Sequence, residues 1–195
     1  MNLEDMRELL KKSLAPKRFK HSIAVYETAI DLAKVHKLKH ELVEKIAIAA
    51  LLHDCGREIA TKASVEKMLA LGLPFDVIEE QQPILLHAKL GVYYAQKKYG
   101  VTDKEILDGI AYHTTGKVNM SILAMVVFLA DMIEPGRDFP GVDGLRKLAY
   151  KDLEAAMLSA YGNTTKYLIE GGLLIHPNCI EAYNELLLKR KAIVS

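Results

Sequence analysis

The 195-residue sequence has only two cysteines, Cys55 and Cys179, far apart and without CxxC spacing. Neither is a candidate for a disulfide or a thiolate zinc site, and the scarcity fits a cytoplasmic protein with reduced thiols. An excess of one charge is also lacking: 26 Lys and Arg stand against 25 Asp and Glu, a formal net charge of +1. No global field therefore draws in nucleic acid or an anionic membrane, and any phosphate binding has to be local. No apolar run approaches the roughly 20 residues that span a bilayer. The segment Met1 to Lys12 mixes acidic and basic residues where a secretory signal needs a continuous apolar stretch. Repeats, low-complexity stretches and Pro/Ser-rich linkers are missing as well, so no internal domain boundary is expected.

Strand signals are equally scarce, because Val, Ile and Thr are scattered within helical patterns and do not alternate over short segments. The chain reads as all-α, a single domain in which 50% hydrophobic residues supply a sizeable core. Helices are predicted at 3–14, 17–37, 40–54, 61–71, 76–82, 84–99, 103–113, 120–134, 143–170 with a break near Gly162, and 177–193. Pro16 and Pro83 precede helices, Thr102 with Glu105 fits a capping box, Pro135-Gly136 stops a helix, and Pro177 suits a first turn. Residues 135–144 are the most loop-like stretch.

Seven consecutive apolar residues, Ile46 to Leu52, run into His53-Asp54 and then Cys55-Gly56-Arg57. A carboxylate leaves water only when it is paired, neutralised or bound to a metal. Neighbouring side chains on a helix point about 100 degrees apart, so His53 and Asp54 need other segments to complete a site. His21 is one candidate, projecting within the arc of Val25 and Leu32 while Glu27, Asp31 and Lys34 occupy the solvated arc. Alone it reads more readily as a hydrogen-bonded core histidine than as a ligand. Asp131 is another, the only charge in the apolar stretch Ile122 to Ile133, where a salt bridge or a capping role would also account for it.

His21, His53-Asp54 and Asp131 form an H...HD...D order that resembles the HD-domain superfamily of metal-dependent phosphohydrolases. His87 in LLHAKLG and His113 in YHTTG lie between the HD pair and Asp131. In that superfamily such histidines bind a second metal or substrate phosphates. With RFKHS at 18–22, HTTG at 113–116, ADMIEPGR at 130–137 and IHPN at 175–178, nearly the whole chain resembles the bacterial YqeK family. One departure is Arg57, where many HD proteins carry lysine three residues after the aspartate. The charge is kept, but Arg grips phosphate as a fork and cannot serve as a proton-exchanging lysine.

The resemblance implies symmetrical hydrolysis of diadenosine tetraphosphate and related dinucleoside polyphosphates to two ADP. It implies metal ligands His21, His53, Asp54 and Asp131, with Asp54, His87 and His113 in the chemistry of the reaction. The ion is expected to be iron, although imidazole and carboxylate donors also suit manganese, cobalt or zinc. Water activated at such an ion attacks an inner phosphate, and the leaving diphosphate needs its charge neutralised. Substrate contacts are expected at Arg18, His21, Arg57, His87, His113, Thr114, Asp131, Arg137, Ile175, His176, Pro177 and Asn178. Thr114 and the turn before Gly116 offer a hydroxyl and backbone amides, and the segment entering the last helix offers unpaired N–H groups. The metal-binding core is expected at about 17–134, with helices at 143–193 completing the nucleotide pocket. Competing readings are another HD-type nucleotide phosphohydrolase or phosphodiesterase, and a non-catalytic metal- and nucleotide-binding sensor. The apolar-rich helices leave room for a homodimer.

Overall fold

The computed structural model describes residues 1–194. Eleven α-helices account for the regular structure, with no strand among the described residues. They are α1 (Leu3–Ser13), α2 (Pro16–Val35), α3 (His40–Leu52), α4 (Ser64–Ala70), α5 (Val77–Gln81), α6 (Leu86–Lys97), α7 (Lys104–Ala111), α8 (Ile122–Ile133), α9 (Val142–Ala149), α10 (Leu153–Glu170) and α11 (Pro177–Val194). Short 3-10 turns at Cys55–Glu58, Thr61–Ala63 and Pro83–Leu85 link α3 to α4 and α5 to α6. None of these helices is long and apolar enough to cross a membrane.

The most apolar helix takes the centre. Every residue of α8 from Leu123 to Ala130 is buried, as is Ile133, which requires neighbours on all sides. Those neighbours are α2, α3, α7, α9 and α10. The apolar run Ile46 to Leu52 forms the buried end of α3, packed between α2, α7 and α8. Small residues set the spacing: a Cβ on Gly109 of α7 would lie 2.6 Å from Leu123 and 3.4 Å from Ala49.

Three boundaries differ from expectation for local reasons. Asp103, not Thr102, caps α7, its Oδ1 accepting from Glu105 N at 2.8 Å and Ile106 N at 3.2 Å. The stretch 143–170 breaks at residues 150–152, where Asp152 accepts from Ala155 N and opens α10. Gly162 lies inside α10 with open space around it, so the helix simply carries a glycine there at a cost of about 1 kcal/mol. The loop after α8 ends earlier than expected, at Gly141 with φ of 91° preceding α9. Both cysteines are free and buried. Burial pushes the Cys55 thiol well above its ordinary pKa, and its Sγ donates to the Gly91 carbonyl at 3.3 Å.

That contact belongs to a close seating of the turn after His53-Asp54 on α6. A Cβ at Gly56 would run into the His87 carbonyl and come within 2.6 Å of Gly91 N. The backbone of this turn thus presses on the helix that carries His87. Gly56→Ala is expected to destabilise the metal-free protein by about 1–3 kcal/mol, the usual range for overpacking, as measured by urea unfolding. An unchanged midpoint would show that the approach is not required.

Candidate metal centre

Five segments bring six residues together. His21 comes from the middle of α2, His53 and Asp54 from the end of α3, His87 from the first turn of α6, His113 from just beyond α7, and Asp131 from the last turn of α8. His53 keeps helical angles (φ −50°, ψ −38°), whereas Asp54 has left the helix (φ −101°, ψ 12°). That change of backbone direction turns two adjacent side chains onto one centre, which a continuing helix could not do.

The two oxygens of Asp54 face different pairs of histidines. Oδ2 lies 3.8 Å from His21 Nε2 and 3.7 Å from His53 Nε2. Oδ1 lies 3.2 Å from His87 Nε2 and 3.8 Å from His113 Nε2. Asp131 closes the first pair, with Oδ1 3.0 Å from His21 Nε2 and 4.0 Å from His53 Nε2. The Nε2 atoms of His87 and His113 are 3.0 Å apart.

Orientation of the rings follows from their other nitrogens. Nδ1 of His53, His87 and His113 donates to the carbonyls of Ala50 (2.7 Å), Ile84 (2.5 Å) and Ile110 (2.7 Å), in each case the residue three back. A carbonyl only accepts, so each Nδ1 carries hydrogen and each Nε2 directs a lone pair into the cluster. The buried Nε2 atoms of His21 and His53 have no hydrogen-bond partner. Buried nitrogens of this kind call for compensation, and two carboxylates stand within 4 Å. The donors fit a divalent cation by position as well as by type: His21, His53 and Asp54, and likewise Asp54, His87 and His113, place ligand atoms within 4.8 Å of one another.

Three arginines surround these carboxylates. Arg18 Nη1 lies 2.9 Å from Asp54 Oδ2 and Arg57 Nε lies 3.2 Å from Asp54 Oδ1. Arg137 donates to the Asp131 carboxylate and, at 2.7 Å, to its backbone carbonyl. Arg57 thus pairs with a carboxylate, and Arg137 is held at the site although its loop is exposed. Other residues singled out in the sequence lie apart from this cluster. Thr114 follows His113 in the turn after α7, where Gly116 adopts φ of 65° against the ring of Tyr161. Ile175, His176, Pro177 and Asn178 form the entry to α11, which docks over residues 76–82. There His176 Nε2 is 3.1 Å from Asp76 Oδ2, Asn178 N donates to His176 Nδ1 at 3.2 Å, and Gln82 Nε2 donates to the Leu174 carbonyl at 3.1 Å.

Sequence reasoning passed over Glu134. It is buried, and its Oε1 lies 3.1 Å from His21 Nδ1. The signal was a second acid one helical turn after Asp131, at the end of the same apolar run.

Burial and charge divide the protons unevenly. Burial, with neighbouring histidines adding to it, holds His53 and His113 down to about 4. Burial alone would raise both carboxyls, but the histidines around Asp54, and His21, His53 and Arg137 around Asp131, keep both well below the usual carboxylate range. His21 is lowered by burial and lifted by more through Asp131, ending above its ordinary value.

A family model described as "HD domain" matches residues 18–136, a span holding all six residues of the cluster. The chain belongs to the HD domain family. Relatives of this HD protein match almost end to end. One from Halalkalibacterium halodurans is 38% identical, covering 98% of this chain and 100% of the relative. Another from Bacillus subtilis is 36% identical, covering 96% and 98%. Both are named "Bis(5'-nucleosyl)-tetraphosphatase, symmetrical". A crystal structure from Clostridium acetobutylicum, described as a "predicted HD superfamily hydrolase involved in NAD metabolism", superposes with a TM-score of 0.89 at 38% identity over 97% of this chain and 98% of that one. The all-α fold expected from the sequence is the HD fold.

The proton distribution sets the acid stability of the metal-free HD protein. His53 and His113 have folded pKa values of about 4, below the 6.5 of an unperturbed histidine. The unfolded chain therefore binds more protons as pH falls below about 6.5, and stability declines from there to about pH 4. Asp54 and Asp131 extend the loss to lower pH. The raised pKa of His21 acts in the opposite sense, its contribution being full in acid and lost as pH rises, but between pH 7.5 and pH 5 it is one group against two, His53 and His113. Thermal unfolding in chelator is expected to give a lower Tm at pH 5 than at pH 7.5. A higher Tm at pH 5 would mean that the cluster is built to hold protons.

Proposed function

We propose that this chain hydrolyses diadenosine tetraphosphate symmetrically, giving two ADP. The observation that carries the reading is the centre itself: a buried carboxylate, Asp54, spanning two pairs of inward-facing imidazoles, with three arginines at its rim. Such a centre suits the hydrolysis of a polyphosphate, and the full-length relatives named as symmetrical tetraphosphatases narrow the substrate. In this reading His21, His53, Asp54 and Asp131 hold a divalent metal, and Asp54 extends the site to His87 and His113 through its second oxygen. When bound, the metal supplies a Lewis acid and a water of lowered pKa.

The remaining work falls to the chain. The Nδ1–H bonds of His53, His87 and His113 fix their rings, so no reorientation is needed when charge develops nearby. His87 and His113, the pair beside Asp54 Oδ1, stand next to the reacting phosphate, where their bare Nε2 atoms orient water, take its proton or hold a second cation. Arg18, Arg57 and Arg137 are forked donors that suit phosphate oxygens, and they exchange their carboxylate partners for the polyphosphate as it enters. The turn at 113–116 offers Thr114 and backbone amides from the side of α7. The 175–178 segment and helices in 143–193 close the nucleotide end. A symmetrical cut then requires the centre to meet an inner phosphate, with ADP as leaving group. We assign iron as the native ion on the family resemblance, and the cytoplasm as location on the two buried free thiols.

The test is incubation of purified protein of known metal content with diadenosine tetraphosphate, with products resolved by chromatography beside an Asp131→Ala variant and a metal-stripped control. Two ADP per substrate, with at least about a hundredfold less product in both controls, is expected for loss of a metal ligand. ATP plus AMP would show that the pocket registers the phosphate chain differently. Metal binding without cleavage would remove the catalytic reading.

A further inference from the structure

Among the four histidines of the centre, His21 is the one whose outer nitrogen meets a side chain and not a backbone carbonyl. His53 and His113 follow helix ends, where carbonyls have lost their intrahelical partners, and His87 follows a 3-10 turn. His21 sits within the continuous ladder of α2, so the carbonyl of Arg18, three residues back, is already part of the helix. Its Nδ1 is met by the carboxylate of Glu134, 3.1 Å away across the gap between α2 and the end of α8.

Glu134 is held in place independently of His21. It is the C-cap of α8 and is 5% exposed. Its Oε2 accepts from Gly136 N, its carbonyl accepts from Arg137 N at 2.9 Å and Arg146 Nη2 at 3.1 Å, and Arg137 Nε lies 3.8 Å from Oε1. A Cβ at Gly136 would fall 3.0 Å from Oε2 and 3.1 Å from Oε1. The glycine leaves room for this carboxylate to fold back over its own loop.

We propose that Glu134 is a positioning residue that fixes the Nδ1–H tautomer of His21 and thereby presents the Nε2 lone pair to the metal centre. An ionised carboxylate accepts and cannot donate, so it selects the nitrogen that keeps hydrogen, and its charge makes the opposite nitrogen a stronger donor to a cation. Glutamine is isosteric but has no such preference. Its amide can turn its NH2 toward His21 Nδ1, which moves the ring hydrogen to Nε2 and blocks that position. The proposal rests on the reading of the cluster as a metal centre.

The test combines Mn2+ affinity, by competition with a chromogenic chelator, and the ring 15N shifts of His21 in metal-free protein, for wild type, Glu134→Gln and Glu134→Ala. Expected results, read at a pH above the raised pKa of His21 so that the ring is neutral, are Nδ1–H in the wild type against the competing Asp131 Oδ1 at 3.0 Å from Nε2, loss of that preference in both variants, and Mn2+ binding weakened about 10- to 100-fold, with the metal-free Tm of Glu134→Gln close to wild type. A wild-type His21 with hydrogen on Nε2 alone overturns the proposal without any substitution. So do variants that bind Mn2+ within about twofold of wild type and retain Nδ1–H. Weaker Mn2+ binding with the tautomer unchanged also overturns it, since a loop-locking role would then explain the loss. A wild type that binds no Mn2+ removes the metal reading beneath the proposal, and is told apart because it appears before any residue is changed.

Discussion

Burying the carboxylate of Asp54 is the constraint around which the molecule is arranged. At 2% exposure it has almost no water, and an uncompensated charge there would be costly enough to unfold the chain or force a proton onto it. Its compensation is drawn from all over the sequence: Arg18 and His21 from α2, His53 and Arg57 on either side of it, His87 from α6 and His113 from beyond α7. Asp131, the second carboxylate, comes from α8, and both carboxylates thus stand at the ends of the two most apolar segments, α8 and the end of α3. The core and the site are therefore one construction. The hydrophobic packing fixes helix ends to within ångströms, and the helix ends carry the chemistry.

The same logic accounts for the placement of histidines at helix termini. A terminus offers a carbonyl with no partner, and a histidine three residues further on can satisfy it with Nδ1 while pointing Nε2 away from the helix. His53, His87 and His113 repeat this arrangement with Ala50, Ile84 and Ile110. Secondary structure thus sets the tautomer with no extra side chain. Where a histidine lies mid-helix, as His21 does, an acidic residue from another element takes the carbonyl's place.

Much of this was legible before any coordinates. The apolar run stopping at His53-Asp54 announced a buried ionisable pair, and the isolated charge of Asp131 in α8 announced a second, because burial of charge leaves a compositional trace. Helix existence followed from periodicity throughout. The break expected near Gly162 falls at 150–152, because a capping side chain, Asp152, starts a helix more decisively than a glycine with open space around it interrupts one. Glu134 escaped because, as the last residue of the helix expected at 120–134 and beside Pro135-Gly136, it read as a helix end and not as part of a site. Its role depends on α2 and α8 lying side by side, which no local pattern encodes. The arginines were visible as charges, but their carboxylate partners were not.

Those partners bear on how the site passes between its states. Arg18 and Arg137 contact Asp54 Oδ2 and the Asp131 carboxylate, on the side of the cluster where His21 and His53 also converge. A cation among those histidines and the arginine side chains compete for the same negative charge, because a carboxylate oxygen 2.9 Å from a guanidinium has part of its charge already neutralised. Positive charge arriving at the histidines therefore weakens the hold of the carboxylates on both arginines. The Arg18 and Arg137 side chains are 39% and 38% exposed, so a guanidinium released from its carboxylate can turn to water or to another anion of the same forked geometry. The arginines of the rim and the carboxylates of the centre are in this sense a single electrostatic unit.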